Sequence, residues 1–354
     1  MAATGIINKI VVRGTNWIGD AVMSVPALRE LSRIFPDAEI TLHTKTTLEG
    51  LYEDADFIDR LLTIDGGLSK IKRVIAEADN LEKEDFDLAI LLPNSFESAI
   101  TARLARVPRR IGYNKDLRGL LLSDPLAVPE WKDRRHEVYY YLNLIAEAER
   151  RYLNRSTVSA AEPDISLVVS ETRQQQARAM LRSEGVDTNR RIVAIGAGST
   201  NSMAKRWHAN RFAELIDQLQ DELDATAVLV GSPTETDVGA EIQASVRTRV
   251  VDLIGRTGIA EAAALLSVCD LLVSNDMGLA HVAPAVGTRS AVIFGPTNPI
   301  TTRPFSDKSV VISAGVECSP CMLRECPIDH RCMTRVTVEH AFSVCRHHFL
   351  AESV

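Results

Sequence analysis

Four short apolar runs, at residues 10–12, 88–92, 192–195 and 271–273, each break into a cluster of glycine or small polar residues. Each cluster then opens a segment with helical spacing of its apolar residues. Strand, small polar loop and helix in strict alternation predict parallel sheets covered on both faces. They also put the polar loops at the carboxyl edge of the sheet, where ligands of open α/β folds collect. The pattern runs through the first half, lapses over the polar, weakly patterned residues 155–163, and restarts. At 354 residues the chain is too long for one core. The expectation is two α/β domains facing one central cleft, over 1–160 and 161–335, with a closing helix in 336–354.

Charge narrows the partners. A net charge of −7 leaves no basic excess for nucleic acid. The longest stretches without a charged residue are 13 residues, 192–204 and 290–302, so no transmembrane segment is expected. No secretory leader is visible before Arg13, which places the protein in the cytoplasm. Locally, residues 103–118 carry Arg103, Arg106, Arg109, Arg110, Lys115 and Arg118, a basic stretch suited to an anionic partner. Cys318, Cys321, Cys326 and Cys332, with His330 among them, are spaced so that they can chelate zinc, pair, or stay as free thiols.

The loop Ser274-Asn275-Asp276-Met277-Gly278-Leu279-Ala280-His281 is the strongest site candidate. A helix starting there directs unpartnered N–H groups and the positive end of its dipole at any ligand, which suits a diphosphate. Ser274, Asn275 and Asp276 are all residues that cap helices well. Lys205 and Arg206 follow a second loop, Gly196-Ala197-Gly198-Ser199-Thr200-Asn201, and add cations to backbone donors. That loop has Asn201 where the dinucleotide fingerprint needs a third glycine, and neither it nor residues 14–19 ends as a P-loop does. Asp20 closes the first loop at a helix start, where it either takes a proton from an incoming hydroxyl or caps the helix. His281 either reaches the phosphates or bonds to backbone.

Six blocks together carry a resemblance: G-T-N-W-I-G-D (14–20), L-P-N-S-F (92–96), R-I-G-Y (110–113), A-K-R-W (204–207), S-N-D-M-G-L-A-H (274–281) and F-G-P-T-N-P (294–299). They resemble the ADP-heptose:lipopolysaccharide heptosyltransferases, inverting glycosyltransferases of GT-B fold (family 9). L-P-N-S-F and A-K-R-W are more similar to the second inner-core transferases than to the first. The resemblance implies two Rossmann-like domains, and Asp20 as the base that deprotonates an acceptor sugar. It implies that Lys205 binds the donor phosphates beside Ser199, Thr200 and Arg206. Asp276, Met277, Gly278, Leu279 and His281 would cradle the heptose and diphosphate of ADP-heptose. On the acceptor side it points to Asn94, Ser95, Arg110 and Arg118, facing the lipopolysaccharide inner core (Kdo–lipid A carrying heptose) at the inner leaflet of the membrane. No cofactor and no essential divalent metal are implied. Met277 stands where the family usually has Ser or Thr, and His208 where a proline is common. Either Glu235 or Asp237 is expected at the nucleotide. The rival readings are a family member with another acceptor, such as a third core heptose, and a non-catalytic ADP-sugar-binding protein.

Overall fold

The computed structural model describes residues 6–350 except 65, 66, 68, 161 and 201. Asn201, assigned above to the glycine loop, lies outside the described residues. The apolar runs become strands whose residues are buried throughout; Leu88–Leu91 is inaccessible at all four positions. The first sheet comprises β1 (Lys9–Arg13), β2 (Glu39–Lys45), β3 (Arg60–Ile64), β4 (Leu88–Leu91), β5 (Arg109–Tyr113) and β6 (Asp124–Leu126). Its order is β3-β2-β1-β4-β5-β6, with every neighbouring pair parallel. The second comprises β7 (Arg191–Gly196), β8 (Ala225–Leu229), β9 (Val251–Asp252), β10 (Leu271–Asn275), β11 (Arg289–Ile293) and β12 (Ser309–Ile312). It runs β12-β11-β10-β7-β8-β9, again all parallel.

Helices fill the connections, because parallel neighbours need a crossover. In the first half these are α1 (Ile18–Met23), α2 (Val25–Ile34), α3 (Thr46–Glu49), α4 (Lys70–Glu82), α5 (Phe96–Leu104) and α6 (Glu137–Leu153). In the second they are α7 (Glu171–Ser183), α8 (Ala209–Leu223), α9 (Thr236–Ser245), α10 (Ile259–Leu266), α11 (Gly278–Ala285), α12 (Pro299–Thr302), α13 (Arg331–Thr334) and α14 (Val338–Leu350). The chain divides into two compact units, Met1–Ile165 and Ser166–Val354. Helix α14 belongs to the second, where Ala341, Phe342 and Cys345 join the core built on β7, α8 and β10.

Both sheets reverse their order of filling at one place, between β1 and β4 in the first unit and between β7 and β10 in the second. At such a switch point adjacent loops diverge to opposite faces and leave room for a ligand. The loops that end in Asp20 and in Asn94–Ser95 flank the first; those carrying Ser199–Lys205 and Asp276–Gly278 flank the second.

Three local expectations are corrected. Residues 103–118 are not one basic face: they hold the end of α5, strand β5 and the turn after it. One glycine and two arginines obscure the apolar content of β5, whose burial is completed by its neighbours. Ser274 and Asn275 do not cap α11; they continue β10, and the cap position falls on Met277 with no side-chain cap bond. Asp20 is the third residue of α1 and not its cap, which is Trp17.

Candidate active site

In the second unit, two loops 71 residues apart in sequence meet on one ion pair. Lys205 Nζ lies 2.7 Å from Asp276 Oδ2 and 3.4 Å from the Asp276 carbonyl oxygen. Thr297 Oγ1 donates to the same Asp276 Oδ2 at 2.6 Å, bringing in the F-G-P-T-N-P block. Asp276 is only 6% exposed, whereas the Lys205 side chain keeps 26%. The ammonium is thus steered by a buried carboxylate while remaining reachable. Beside it, α11 begins without a side-chain cap; Ala280 N already donates to Met277 O at 3.1 Å, and the Gly278 and Leu279 amides precede the first helical bonds. A cation and an open helix start at one locus form an anion site, with charge-assisted bonds stronger than neutral ones.

Strand-end packing brings these loops together. Gly196 of β7 faces β10 so closely that a Cβ would sit 2.8 Å from Met277 Sδ and 2.9 Å from Ser274 Cβ. Asn275 then bridges: its Nδ2 donates to Ala197 O at 2.6 Å, and its Oδ1 accepts from Trp207 N at 3.0 Å. Trp207 is 1% exposed, donates through Nε1 to Val336 O at 3.0 Å, and meets Phe212 edge-on at 5.0 Å. The tryptophan after Lys205-Arg206 therefore anchors the cations to the core. Arg206 reaches Ser199 O at 3.3 Å and lies 3.6 Å from Asp237 Oδ2. His281 is buried on α11, and Leu279 beside it is 6% exposed.

Of the two acidic candidates, Glu235 turns inward. It closes a capping box with Ser232, accepting from Ser232 N at 2.7 Å, and it approaches Thr200 Oγ1 at 3.5 Å. Gly198 is required there, since a Cβ would lie 2.1 Å from the Glu235 carboxylate. Asp237 is exposed and its side chain is directed to Arg206. Glu235 thus lines the glycine loop and Asp237 its outer face.

The cysteine-bearing segment has a role that spacing did not suggest. Ser319 Oγ donates to Gly295 O at 2.6 Å, and the amides of Cys321 and Met322 donate to Pro296 O. Arg324 O accepts from Ser202 Oγ and Ala204 N, while His330 Nε2 bonds Ala204 O at 2.6 Å. The segment straps the Lys205 loop to the loop of Thr297. Its cysteines are free thiols, and burial, followed by neighbouring Cys318, Cys321 and Cys326, pushes the Cys332 thiol up to about 11. Among the described residues no three His, Cys, Asp or Glu side chains are grouped to hold a metal ion.

In the first unit, Asp20 sits half-buried at the start of α1, with Tyr141 of α6 donating to its Oδ1 at 3.3 Å. Arg13, just before the loop, bonds Gly14 O at 2.7 Å, and Lys45 lies 5.5 Å from the exposed Trp17 ring. Sequence reasoning missed Tyr141 altogether. Nothing in local spacing connects it to a residue 121 positions away.

Of the acceptor-side candidates, Asn94, Ser95 and Arg118 form one internal network, and Arg110 braces a separate turn. Arg118 is 0% exposed: it donates to Tyr113 O at 2.7 Å, to Pro93 O, to Ser95 O at 3.2 Å and to Ser98 Oγ at 3.1 Å. Gly112 makes room for it, since a Cβ there would lie 2.8 Å from Nη2. Desolvation lowers the Arg118 pKa to about 10, which leaves it charged at neutral pH. Asn94 Nδ2 donates to Tyr140 Oη at 3.0 Å, and Ser95 caps α5 through Ser98 N. Arg110 donates to Leu121 O at 2.8 Å and to Val107 O and Pro108 O. Arg118 is thus held inside the unit as a strut, and Arg110, partly exposed, braces its own turn.

With this geometry in place, likeness to known proteins is informative. Residues 74–331 match Glycosyltransferase family 9 (heptosyltransferase). The chain is 29% identical over 314 residues to lipopolysaccharide heptosyltransferase 2 of Escherichia coli, covering 86% of this chain and 87% of that protein. It is 29% identical over 316 residues to lipooligosaccharide heptosyltransferase 2 of Haemophilus influenzae, covering 86% and 88%. The solved structure of E. coli ADP-heptose lps heptosyltransferase II is similar at a TM-score of 0.82 and 26% identity, over 97% of this chain and 98% of that one.

Proposed function

The chain belongs to glycosyltransferase family 9, and on that premise we propose that it moves L-glycero-D-manno-heptose from ADP-heptose to a heptose of the lipopolysaccharide inner core. The observation that carries this reading is the convergence of Lys205, Asp276 and the open start of α11 at the β7/β10 switch point. Such a site suits a diphosphate that gains charge as its bond to the sugar breaks. The names of the relatives supply the sugar and the acceptor class.

In this mechanism Asp20 takes the proton of the acceptor hydroxyl as that oxygen attacks the anomeric carbon. The bond from that carbon to the phosphate oxygen breaks on the opposite face, so configuration inverts, and its electron pair leaves on ADP. Lys205 and the α11 amides meet the developing charge from fixed positions, which is electrostatic preorganisation. Arg206, Ser199 and Thr200 line the phosphate loop, Glu235 the nucleotide side. Met277 offers no hydroxyl, so its backbone and those of Gly278 and Leu279 make the contacts there, with His281 behind them. Asn94 and Ser95 shape the acceptor loop.

Because Lys205 and the helix start supply the positive charge, the reaction needs no divalent metal. Chelation by EDTA leaves turnover within about twofold, whereas a loss beyond tenfold would make metal essential. The acceptor's lipid end stays in the inner leaflet, so the protein works from the cytoplasm at that surface. Among the described residues no helix is long and apolar enough to cross a membrane.

The decisive experiment measures ADP release from ADP-heptose with and without heptosylated Kdo–lipid A, with mass spectrometry of the lipid. Acceptor-dependent release with one added heptose is the expected result. Release only with a more complete core would shift the acceptor to a later heptose; tight donor binding without transfer to any core acceptor would replace the enzyme by an ADP-sugar-binding protein.

A further inference from the structure

Tyr141 is the fifth residue of α6, a helix that packs directly against α1 and α2. Its ring is 7% exposed and lies edge-on to Tyr140, with centroids 6.2 Å apart. Packing of this kind restricts the phenol to one orientation, and in that orientation its hydroxyl donates to Asp20 Oδ1. At 3.3 Å the bond is long for an O–H donor, leaving room to tighten as charge localises on the carboxylate. Burial, and then the Asp20 charge, hold the phenol well above its usual 10, so it stays a neutral donor across the working pH range.

We propose that Tyr141 is the positioning residue of the catalytic base, orienting the Asp20 carboxylate toward the acceptor hydroxyl and steadying its anionic form. This rests on the reading of Asp20 as the base. The proton that moves passes from the acceptor hydroxyl to Asp20; Tyr141 keeps its own throughout. A donor on a carboxylate favours the ionised form, so Tyr141 extends the pH range over which Asp20 can accept a proton. Fixing the carboxylate also removes rotational freedom that would otherwise be lost in the transition state.

The same helix provides an internal comparison. Tyr152 donates to Asp124 Oδ2 at 2.9 Å, and Arg151 adds a bond to Oδ1 at 2.8 Å. That Tyr–Asp pair ties α6 to the edge strand β6, away from the switch-point loops.

The experiment compares full-length Tyr141→Phe, Tyr152→Phe and Asp20→Ala, reading kcat against pH by ADP release, KM for ADP-heptose, and melting temperature. For Tyr141→Phe, kcat falls about tenfold, as for loss of a bond to a charged group. The acid limb moves up by about half to one pH unit because the carboxylate loses a donor, and KM for ADP-heptose is unchanged. Tyr152→Phe lowers the melting temperature and leaves the profile where it was. 3-Fluorotyrosine at 141, a stronger donor with one small added atom, moves the acid limb down, and it decides the matter should Tyr141→Phe fold poorly. An unchanged profile in Tyr141→Phe, or a fall in kcat with an unmoved acid limb in both 141 variants, overturns the proposal in favour of a packing role. If Asp20→Ala is inactive while Tyr141→Phe is normal, this inference fails and the base stands. If Asp20→Ala keeps turnover, the base reading fails and takes this one with it.

Discussion

Lys205 and Asp276 illustrate how one residue's role depends on a partner that the local sequence does not name. Lysine after a glycine-serine loop signals an anion site, and that much is legible from the A-K-R-W block. The sequence does not say that Asp276, itself a donor-site candidate, is what aims the ammonium. Lys205→Ala removes the cation that faces the leaving group and leaves a 6% exposed carboxylate with Thr297 as its bonding partner. Turnover is expected to fall by about two orders of magnitude, the usual loss for one preorganised donor. Stability should fall by only about 1–2 kcal/mol, discounted from a buried pair because the lysine is partly solvated. Urea titration of Lys205→Ala, Asp276→Asn and the double variant checks this: the double variant should lose less than the sum of the singles. Strict additivity would mean the two side chains are not coupled.

At the scale of elements, strand β5 shows where composition misleads. Arg103, Arg109, Arg110 and Arg118 read as a charged surface, and a basic surface reads as a docking site. Strand geometry instead alternates sides, and the turn after β5 folds Arg118 back beneath the loop that follows β4. Its planar fork holds carbonyls of residues 93, 95 and 113 together. An ammonium has no such fork. Arg118→Lys should therefore destabilise the first unit by about 3 kcal/mol, as breaking a buried charge network does, and leave ADP affinity unchanged. Urea denaturation and ADP titration measure both. Intact stability with a raised KM for the acceptor alone would return Arg118 to ligand binding.

The whole molecule is acidic, and of its local basic stretch Arg118 is buried, Arg109 and Arg110 are partly buried, Arg106 pairs with Glu82 at 2.7 Å, and Arg103 and Lys115 stay exposed. Global charge thus says little about the acceptor, and the switch points say more. Each unit has its own core, one clustered on β1, β4 and α5, the other on β7, α8 and α14. Trp207 lies in the second core, next to Lys205, whereas Trp17 and Trp131 belong to the first unit. With those two replaced by Phe, Trp207 fluorescence reports the second unit's unfolding. ADP at a hundredfold excess over its Kd should raise that stability by about 2.7 kcal/mol. A transition that ADP does not move would remove the nucleotide from this unit.

Sequence alone determined the alternation of strand and helix and the polar loops at strand ends. Each of these is set by short-range pattern: periodicity, glycine, and small polar residues where a helix begins. Strand order was decided only in three dimensions. It sets β10 beside β7, so that Asp276 meets Lys205, and α6 beside α1, so that Tyr141 meets Asp20. The direction of Arg110 and Arg118, inward to carbonyls, was decided there too. Long-range pairing is chosen by which buried faces fit and which buried polar groups find partners, and that choice is a property of the whole packed chain.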